Sequence, residues 1–224
     1  MKISIIIPAF NEEESIGHVL DRIPNMDDYE VIVVDGGSED QTVAIAEANG
    51  ARVIHESRRG YGRACATGLE ESTGKIVIFM DADGADDPTQ IPELMAPLFD
   101  DQADLVLGSR IAGRIDPGAM RWHQYFGNWL AAGLFRLLYN LPITDLSPFR
   151  AVNRDKLLSL KMHEMTYGWP TEMIAKAARH NWRIKEIPVN YFPRYGGQSK
   201  ISGTIKGTIL ATYYILSTIF QYAR

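Results

Sequence analysis

Apolar residues in the first hundred positions follow two spacings. Short runs rich in β-branched residues predict buried strands, and segments with apolar residues at helical spacing lie between them. The runs lie at residues 3–7, 29–34, 52–55, 75–80 and 105–107. The helical segments begin near Glu13, Gln41 and Tyr61. This order is typical of a doubly wound, mostly parallel sheet, so we expect an α/β fold.

The pattern changes after Gly108. Residues 109–121 predict a loop, residues from about 123 to 140 predict a long helix, and shorter elements follow. No internal repeat and no low-complexity linker separates the two parts. We therefore expect one domain over residues 1–224. Its parts are a sheet-rich half (1–108), an elaborated second half (109–202) and an apolar C-terminal helix (203–224).

The net charge of −5 hides an asymmetry between the two halves. Residues 1–105 carry 22 acidic and 7 basic side chains, whereas residues 106–224 carry 6 acidic and 16 basic ones. An acidic half suits a metal ion and polar hydroxyl groups, and a basic half suits a phosphorylated ligand or an anionic membrane surface. The alternative is that both halves are simply solvated.

Cellular location and membrane contact are predicted from three features. Cys65 is the only cysteine, and the chain starts with a strand-like run rather than a leader, so we expect a cytoplasmic protein,. No segment reaches the roughly 20 apolar residues of a membrane span. Residues 203–222 carry one charged side chain, Lys206, so a helix there would pack on the core or a second subunit, or lie in a membrane interface,.

The segment Asp81-Ala82-Asp83 places two carboxylates directly after the apolar run that ends at Met80. Ligands of open α/β sheets bind outside the carboxyl ends of the strands. Carboxylate oxygens are hard ligands that suit Mg²⁺ or Mn²⁺. The segment therefore predicts a metal site, with a solvated loop or a helix N-cap as the alternative.

Two other predicted strands end in polar residues. Asp35 follows the second strand and is followed by two glycines, so its carboxylate could accept hydrogen bonds from a nucleoside; the alternative is a turn in which Ser38 or Asp40 caps the next helix,. The first strand ends at residues 7–12, where Glu12 could face the same ligand, and Asn11 with Glu14 resembles a capping box,.

Residues 58–64 superficially resemble a dinucleotide-binding fingerprint. They follow the third strand rather than the first and lack the third glycine, so we reject that interpretation,. An arginine beside a glycine turn can still hold phosphate oxygens, which makes Gly62 and Arg63 candidate substrate-binding residues.

Together these motifs resemble glycosyltransferase family 2, whose members have the GT-A fold. The similarity covers nearly the whole chain, with the motifs in the family's order and spacing. Residues 108–110, 145–150 and 194–200 are similar to one group in that family, the polyprenyl-phosphate sugar synthases, such as the dolichyl-phosphate mannose synthases. The resemblance implies that residues 1–108 bind a nucleotide sugar and residues 109–202 bind the acceptor.

The resemblance also implies roles for individual residues. The nucleoside pocket would include Pro8, Ala9, Asn11, Glu12 and Asp35. The metal and diphosphate would be held by Asp81, Ala82 and Asp83, and Asp86 could replace a glutamine that the mannose synthases place after the second aspartate. Acceptor phosphate or donor diphosphate would be held by Arg110, Arg121, Arg194 and Lys200. Arg110 and Arg121, together with Asp81 and Asp83, would act in catalysis. Arg150 and Glu172 would also bind substrate.

The reaction implied is inverting transfer of a hexose, from a donor of the GDP-mannose or UDP-glucose type, to a polyprenyl phosphate at the cytoplasmic membrane face. A phosphate acceptor needs no general base, whereas a sugar hydroxyl would need one, and Glu172 is the candidate. Its alternative role is a first-turn carboxylate favoured by the helix dipole. A soluble or saccharide acceptor, a non-catalytic nucleotide-sugar-binding protein and a homo-oligomer stay open, and nucleic acid is not an expected partner.

Overall fold

A central sheet is covered by helices on both faces. The computed structural model describes residues 2–24, 28–197 and 205–223. The strands of the sheet are β1 (Ile3–Ala9), β2 (Tyr29–Asp35), β3 (Arg52–His55), β4 (Ile76–Phe79), β5 (Leu105–Ser109), β6 (Arg150–Asn153) and β7 (Ile184–Pro188). The α-helices are α1 (Ile16–Asp21), α2 (Thr42–Ala48), α3 (Tyr61–Glu71), α4 (Ile91–Phe99), α5 (Trp122–Tyr139), α6 (Arg154–Ser159), α7 (Trp169–Arg179) and α8 (Ile205–Gln221).

The strand order is β3-β2-β1-β4-β6-β5-β7. Strand β6 is antiparallel to its neighbours β4 and β5, and the other pairs are parallel. The predicted mostly parallel sheet is therefore confirmed. From β1 the chain builds outward to β3 and then returns to place β4 on the other side of β1. The β1–β4 boundary is thus a topological switch point, where a crevice opens at the carboxyl ends of the strands.

Both faces of the sheet are buried, because successive residues of each strand point to opposite sides. In β1, Ile5 and Ile7 pack in one core with α1, α2 and α4. Ile6 packs in the other core with α3, α5, α7 and α8. The β-branched runs of the sequence are therefore strands that are apolar on both sides.

The loop after β1 differs from the predicted capping box. Helix α1 begins at Ile16 and its N-cap is Ser15, so the predicted role of Asn11 as a helix cap is wrong. Asn11 has a positive φ of 51°. Its N–H donates to Ser38 Oγ at 2.9 Å and its Oδ1 accepts from the Glu39 N–H at 2.9 Å. Asn11 therefore joins the loops that follow β1 and β2.

Helix α8 packs partly on the core. Ile219 is fully buried, and its carbonyl accepts a 2.6 Å hydrogen bond from the Tyr139 hydroxyl of α5. Ile209, Tyr213 and Phe220 are exposed on the same helix. Within the described ranges, no helix is long and apolar enough to cross a bilayer. The core-packing alternative thus holds for one face of α8 and leaves its outer face uncovered.

Asp104 connects three elements at the start of β5. Its carboxylate accepts a hydrogen bond from Lys156 Nζ of α6 at 2.6 Å. It also accepts hydrogen bonds from the backbone N–H of Arg183 at 2.8 Å and from Nη2 of the same residue, which precedes β7, at 2.9 Å. Hydrogen bonding to Arg183, with a further contribution from Lys156, lowers the pKa of Asp104. The ionised form is therefore favoured by folding, and this contribution is complete above the unfolded pKa of about 4 and is lost as the pH falls below it.

We expect Asp104→Asn to lower the free energy of unfolding by about 2 kcal/mol between pH 5 and 7, because hydrogen bonds to a charged acceptor are lost. The difference from the unchanged protein should shrink below pH 4. Urea unfolding across that pH range measures it, with Asp155→Asn, an exposed carboxylate on α6, as control. A difference that grows toward acid pH would contradict the assignment.

Candidate active site

The loops after β1 and β4 meet at the switch point. Glu12 follows β1 and Asp83 follows β4, and the guanidinium of Arg194 lies between them. Arg194 Nη1 is 3.1 Å from Asp83 Oδ2, and Nη2 contacts both carboxylate oxygens of Glu12. One cation from the second half of the chain therefore neutralises carboxylates from two strand ends.

Three carboxylates of one short loop are drawn together after β4. Asp83 Oδ1 accepts from the Ala85 N–H at 3.0 Å, and Asp86 Oδ2 accepts from the Asp81 N–H at 3.4 Å. Gly84 permits this turn with a φ of 77°,. Burial, and then Asp83 and Asp86, raise the pKa of Asp81 well above its ordinary value. Burial, and then Asp83, raise the pKa of Asp86 to about 7.

This loop has the donor set of an open divalent-cation site. Asp86 Oδ1 is buried and has no hydrogen-bond partner in the part of the chain that the structure describes, and Asp81, Asp83 and Asp86 supply hard oxygen atoms,. Among the described residues, no group of three or more His, Cys, Asp or Glu side chains is arranged to hold a metal ion. Mg²⁺ is commonly held by one or two carboxylates together with substrate phosphates, so an incomplete protein set fits that ion. Asp81, Asp83 and Asp86 thus remain the predicted metal ligands.

The segment 191–197 lies along this loop. Its Phe192 N–H donates to Ala85 O at 2.8 Å, and its Tyr195 N–H donates to Asp83 O at 2.9 Å. The Tyr195 ring stacks on His18 with ring centres 3.9 Å apart. These backbone contacts fix the position from which Arg194 reaches the carboxylates.

Arg110 is held in a fixed orientation at the end of β5. Its Nε and Nη2 bind Asp145 at 2.8 and 2.7 Å, a bidentate pair, and its guanidinium lies 4.9 Å from the centre of the Tyr191 ring,. Burial would lower the pKa of Arg110, but Asp145 raises it further, so the side chain stays charged. Asp145 is positioned in turn by Glu186, which accepts from its N–H at 2.9 Å.

The predicted nucleoside pocket lies at the ends of β1 and β2. Pro8 and Ala9 pair in register with Val34 and Asp35. The buried carboxylate of Asp35 accepts from the N–H groups of Gly37 and Ser38 at 3.2 and 3.1 Å. The N-cap of α2 is Gln41, so the alternative in which Ser38 or Asp40 caps this helix is wrong, and Asp35 itself holds the glycine turn. Its contact with a nucleoside stays a prediction.

The glycine turn before α3 has a different role from the predicted one. The Gly62 N–H donates to Thr166 O at 3.1 Å, and the Arg63 N–H donates to Met165 O at 3.0 Å. A Cβ on Gly62 would lie 2.6 Å from Glu164 O. Gly62 is thus needed for close packing on residues 164–166, and the N–H groups at this helix start are not open to phosphate. The predicted substrate contact of Gly62 is therefore corrected to a packing role.

Arg150 is also buried and does not face the predicted substrate site. It is buried at the start of β6, where its guanidinium donates to Pro170 O at 2.8 Å and to Ser147 O. Burial lowers its pKa to about 10. The predicted substrate contact of Arg150 is therefore corrected to a structural role beneath the site.

Glu172 is fully buried in the first turn of α7. Its carboxylate accepts from Tyr222 Oη at 2.7 Å and the Glu164 N–H at 2.7 Å, and it pairs with Lys176 Nζ at 2.8 Å. Although burial alone would raise the pKa, the bonds from Lys176 and Tyr222 lower it. An enclosed, weakly basic carboxylate cannot reach an acceptor hydroxyl, so the general-base prediction for Glu172 is wrong and the first-turn alternative holds.

Two predicted cations are not joined to this cluster by the described contacts. Arg121 is the exposed N-cap of α5, and its backbone N–H donates to Gln124 Oε1 at 2.7 Å. Lys200 lies outside the described residues. Conversely, sequence reasoning did not single out Tyr191 and Glu186. Neither belongs to a motif, and only the fold brings Tyr191 to Arg110 and Glu186 to the backbone of Asp145.

Comparisons with known proteins agree with this geometry. Residues 4–159 match the family described as glycosyl transferase family 2. An uncharacterised glycosyltransferase of Mycobacterium tuberculosis is 39% identical over 211 residues, which span 93% of this chain and 94% of that protein. The undecaprenyl-phosphate mannosyltransferase of Micrococcus luteus is 33% identical in an alignment that covers 92% of this chain and 90% of that protein.

A solved structure shows the same architecture. Glucosyl-3-phosphoglycerate synthase from M. tuberculosis, in complex with Mn²⁺, uridine diphosphate and glucosyl-3-phosphoglycerate, superposes with a TM-score of 0.80 at 27% identity, over 99% of this chain and 80% of that one. The predicted GT-A fold is thereby confirmed. The chain belongs to glycosyltransferase family 2 and is a glycosyltransferase.

Proposed function

We propose that this enzyme transfers a hexose from a nucleoside-diphosphate sugar to a polyprenyl phosphate, acting peripherally at the cytoplasmic face of a membrane. The observation that carries the proposal is the ion pair between Arg194 and Asp83 of the acidic loop after β4, while the candidate general base, Glu172, is buried elsewhere. An acceptor that brings its own ionised oxygen needs no base. The similarity to the Micrococcus luteus enzyme supports the same class of acceptor.

The acidic and the basic residues of the site would have different roles. Asp81, Asp83 and Asp86 would hold Mg²⁺ or Mn²⁺, which when bound neutralises charge on the leaving diphosphate. Arg194, which binds Asp83 in this structure, would then leave that carboxylate and bind the diphosphate oxygens,. Arg110, oriented by Asp145, would supply a second guanidinium,. The acceptor phosphate attacks the anomeric carbon from the side opposite the diphosphate. The configuration at that carbon is therefore inverted.

A soluble phosphorylated acceptor is the second candidate. It is favoured by the TM-score of 0.80 to a synthase whose crystals contain glucosyl-3-phosphoglycerate. It differs from the first candidate in having no lipid. A third reading, in which the protein binds a nucleotide sugar without turnover, predicts neither product.

Donor turnover separates these candidates. We would first screen GDP- and UDP-sugars with Mn²⁺ by thermal shift, since a ligand at a hundred times its dissociation constant adds about 2.7 kcal/mol. The best donor would then be supplied with undecaprenyl phosphate in detergent, with 3-phosphoglycerate, or with no acceptor. Product that forms only with the prenyl phosphate is expected. Transfer to 3-phosphoglycerate, or binding without any transfer, would reject the proposal.

Asp83→Asn should abolish the Mn²⁺-dependent thermal stabilisation by donor and reduce transfer by about a hundredfold or more, because it removes one anionic oxygen from the metal and one partner from Arg194. The fold should persist, since the side chain lies in a loop. Glu70→Gln, an exposed carboxylate of α3, is the control. Unchanged Mn²⁺ dependence in the Asp83 variant would remove this residue from the metal site.

Arg194→Ala should change metal binding and transfer in opposite directions. Without the guanidinium, Glu12 and Asp83 lose their counter-charge, so Mn²⁺ alone should bind several-fold more tightly, while transfer slows because diphosphate loses a cation. Calorimetric titration with Mn²⁺ and a transfer assay measure the two effects, with the exposed Arg114→Ala as control. Weaker Mn²⁺ binding in the Arg194 variant would show that this arginine does not compete with the metal.

Glu172→Gln should lower the stability of the protein and leave the turnover rate of the folded enzyme nearly unchanged. Removing one partner of the buried Lys176 pair costs about 3 kcal/mol or more, whereas turnover of the folded enzyme should stay within about twofold. Thermal unfolding and kcat well below the melting temperature check this, with Glu71→Gln as an exposed control on α3. A large fall in kcat with normal stability would restore Glu172 as a base.

A further inference from the structure

The outward stripe of α5 is aromatic where a surface helix is normally polar. Trp122, Phe126 and Trp129 are 80%, 58% and 69% exposed, and Leu137 near the other end is 77% exposed. These positions recur every three, four or eight residues, so they lie on one side of the helix. The opposite side of α5 is buried, with Ala131 and Phe135 in the core. A contiguous apolar stripe of this size on a protein surface indicates a binding partner.

The charged residues of α5 are all of one sign. Residues 122–139 of α5 contain no Asp or Glu and one cation, Arg136, and Arg121 precedes them. The neighbouring α8, residues 205–221, also contains no Asp or Glu and exposes Ile209 and Tyr213. A second copy of this chain would oppose these cations with the same cations. An anionic lipid surface complements them instead.

The residue types of the stripe suit the headgroup region. Tryptophan and tyrosine are enriched where a bilayer meets water, because their rings have an apolar body and a polar edge. A helix that is apolar outward and flanked by arginines binds parallel to such a surface.

Helix α5 is also tied to the active site. Asn128, in the middle of the helix, donates from Nδ2 to Thr144 O at 2.8 Å and accepts from the Leu146 N–H at 3.0 Å. Between them, Asp145 binds Arg110. A lipid surface at the stripe would therefore lie at a fixed position relative to Arg110.

We propose that the α5 stripe, Trp122, Tyr125, Phe126, Trp129 and Leu137, is the surface by which the enzyme docks on an anionic bilayer. The stripe identifies the part of the protein that meets the membrane. Only the purpose of docking, access to a prenyl phosphate at headgroup level, rests on the proposed function.

Vesicle flotation of the full chain tests the proposal. The Phe126→Ser/Trp129→Ser double variant should bind phosphatidylglycerol-containing vesicles about tenfold more weakly or worse than the unchanged protein, since two aromatic rings leave the interface. Phe99→Ser removes an exposed aromatic ring from α4 on the opposite face of the sheet and should bind normally. Arg136→Glu should weaken binding to anionic vesicles more than to phosphatidylcholine vesicles. Donor-induced thermal shifts report that each variant is folded.

Two results would overturn the docking surface. One is equal flotation of the double variant and the Phe99 control. The other is a lipid-free dimer, seen by sedimentation, that the double variant dissociates while the unchanged protein fails to float. Stripe-dependent flotation together with a lack of transfer to undecaprenyl phosphate would support the surface and reject only the proposed function. Transfer to a short, water-soluble prenyl phosphate should be unchanged in the double variant.

Discussion

The carboxylates at the switch point between β1 and β4 lie close together and need compensating cations. Arginines of the second half of the chain supply them. Glu12, Asp81, Asp83 and Asp86 come from two neighbouring strand ends, where burial and mutual repulsion raise the pKa values of Asp81 and Asp86. In this structure Arg194 neutralises two of the four. A divalent ion would neutralise the loop more fully, and its diphosphate ligand would then need Arg194. Under the proposed function, a bound divalent ion would therefore take over part of the neutralisation that Arg194 provides in this structure.

The second half of the chain is built to hold cations in place. Arg110 does not lie loose on the surface; Asp145 binds it bidentately, and Glu186 binds the backbone of Asp145. Arg194 is positioned by backbone hydrogen bonds of segment 191–197 to the acidic loop. Charged groups oriented in advance stabilise charge without reorganisation during reaction, which is how such sites accelerate transfer. The charge asymmetry of the sequence is therefore reflected in an acidic loop that pairs with Arg194, while Arg110 is held by Asp145.

The sheet could be predicted from the sequence because its strands are buried on both faces. A fully apolar run of β-branched residues has few alternatives, and β1 to β5 lie where these runs lie. Helix α3 begins at Tyr61, as its pattern predicts. The acidic loop followed from the same logic, since polar residues directly after a buried strand emerge at the edge where ligands bind. The family motifs then gave the fold and the class of enzyme.

Local sequence by itself determined the strands, the acidic loop and the family, because each depends on residues that are close in the chain. Only the tertiary structure decided what distant residues do. Glu172 and Arg150 are charged and lie near motifs, yet contacts with Tyr222 and Pro170 bury them. Gly62 serves packing on residues 164–166, and Trp129 is exposed although a tryptophan is more often packed. A side chain's partners and its exposure are set by packing between elements far apart in sequence, which no local pattern records.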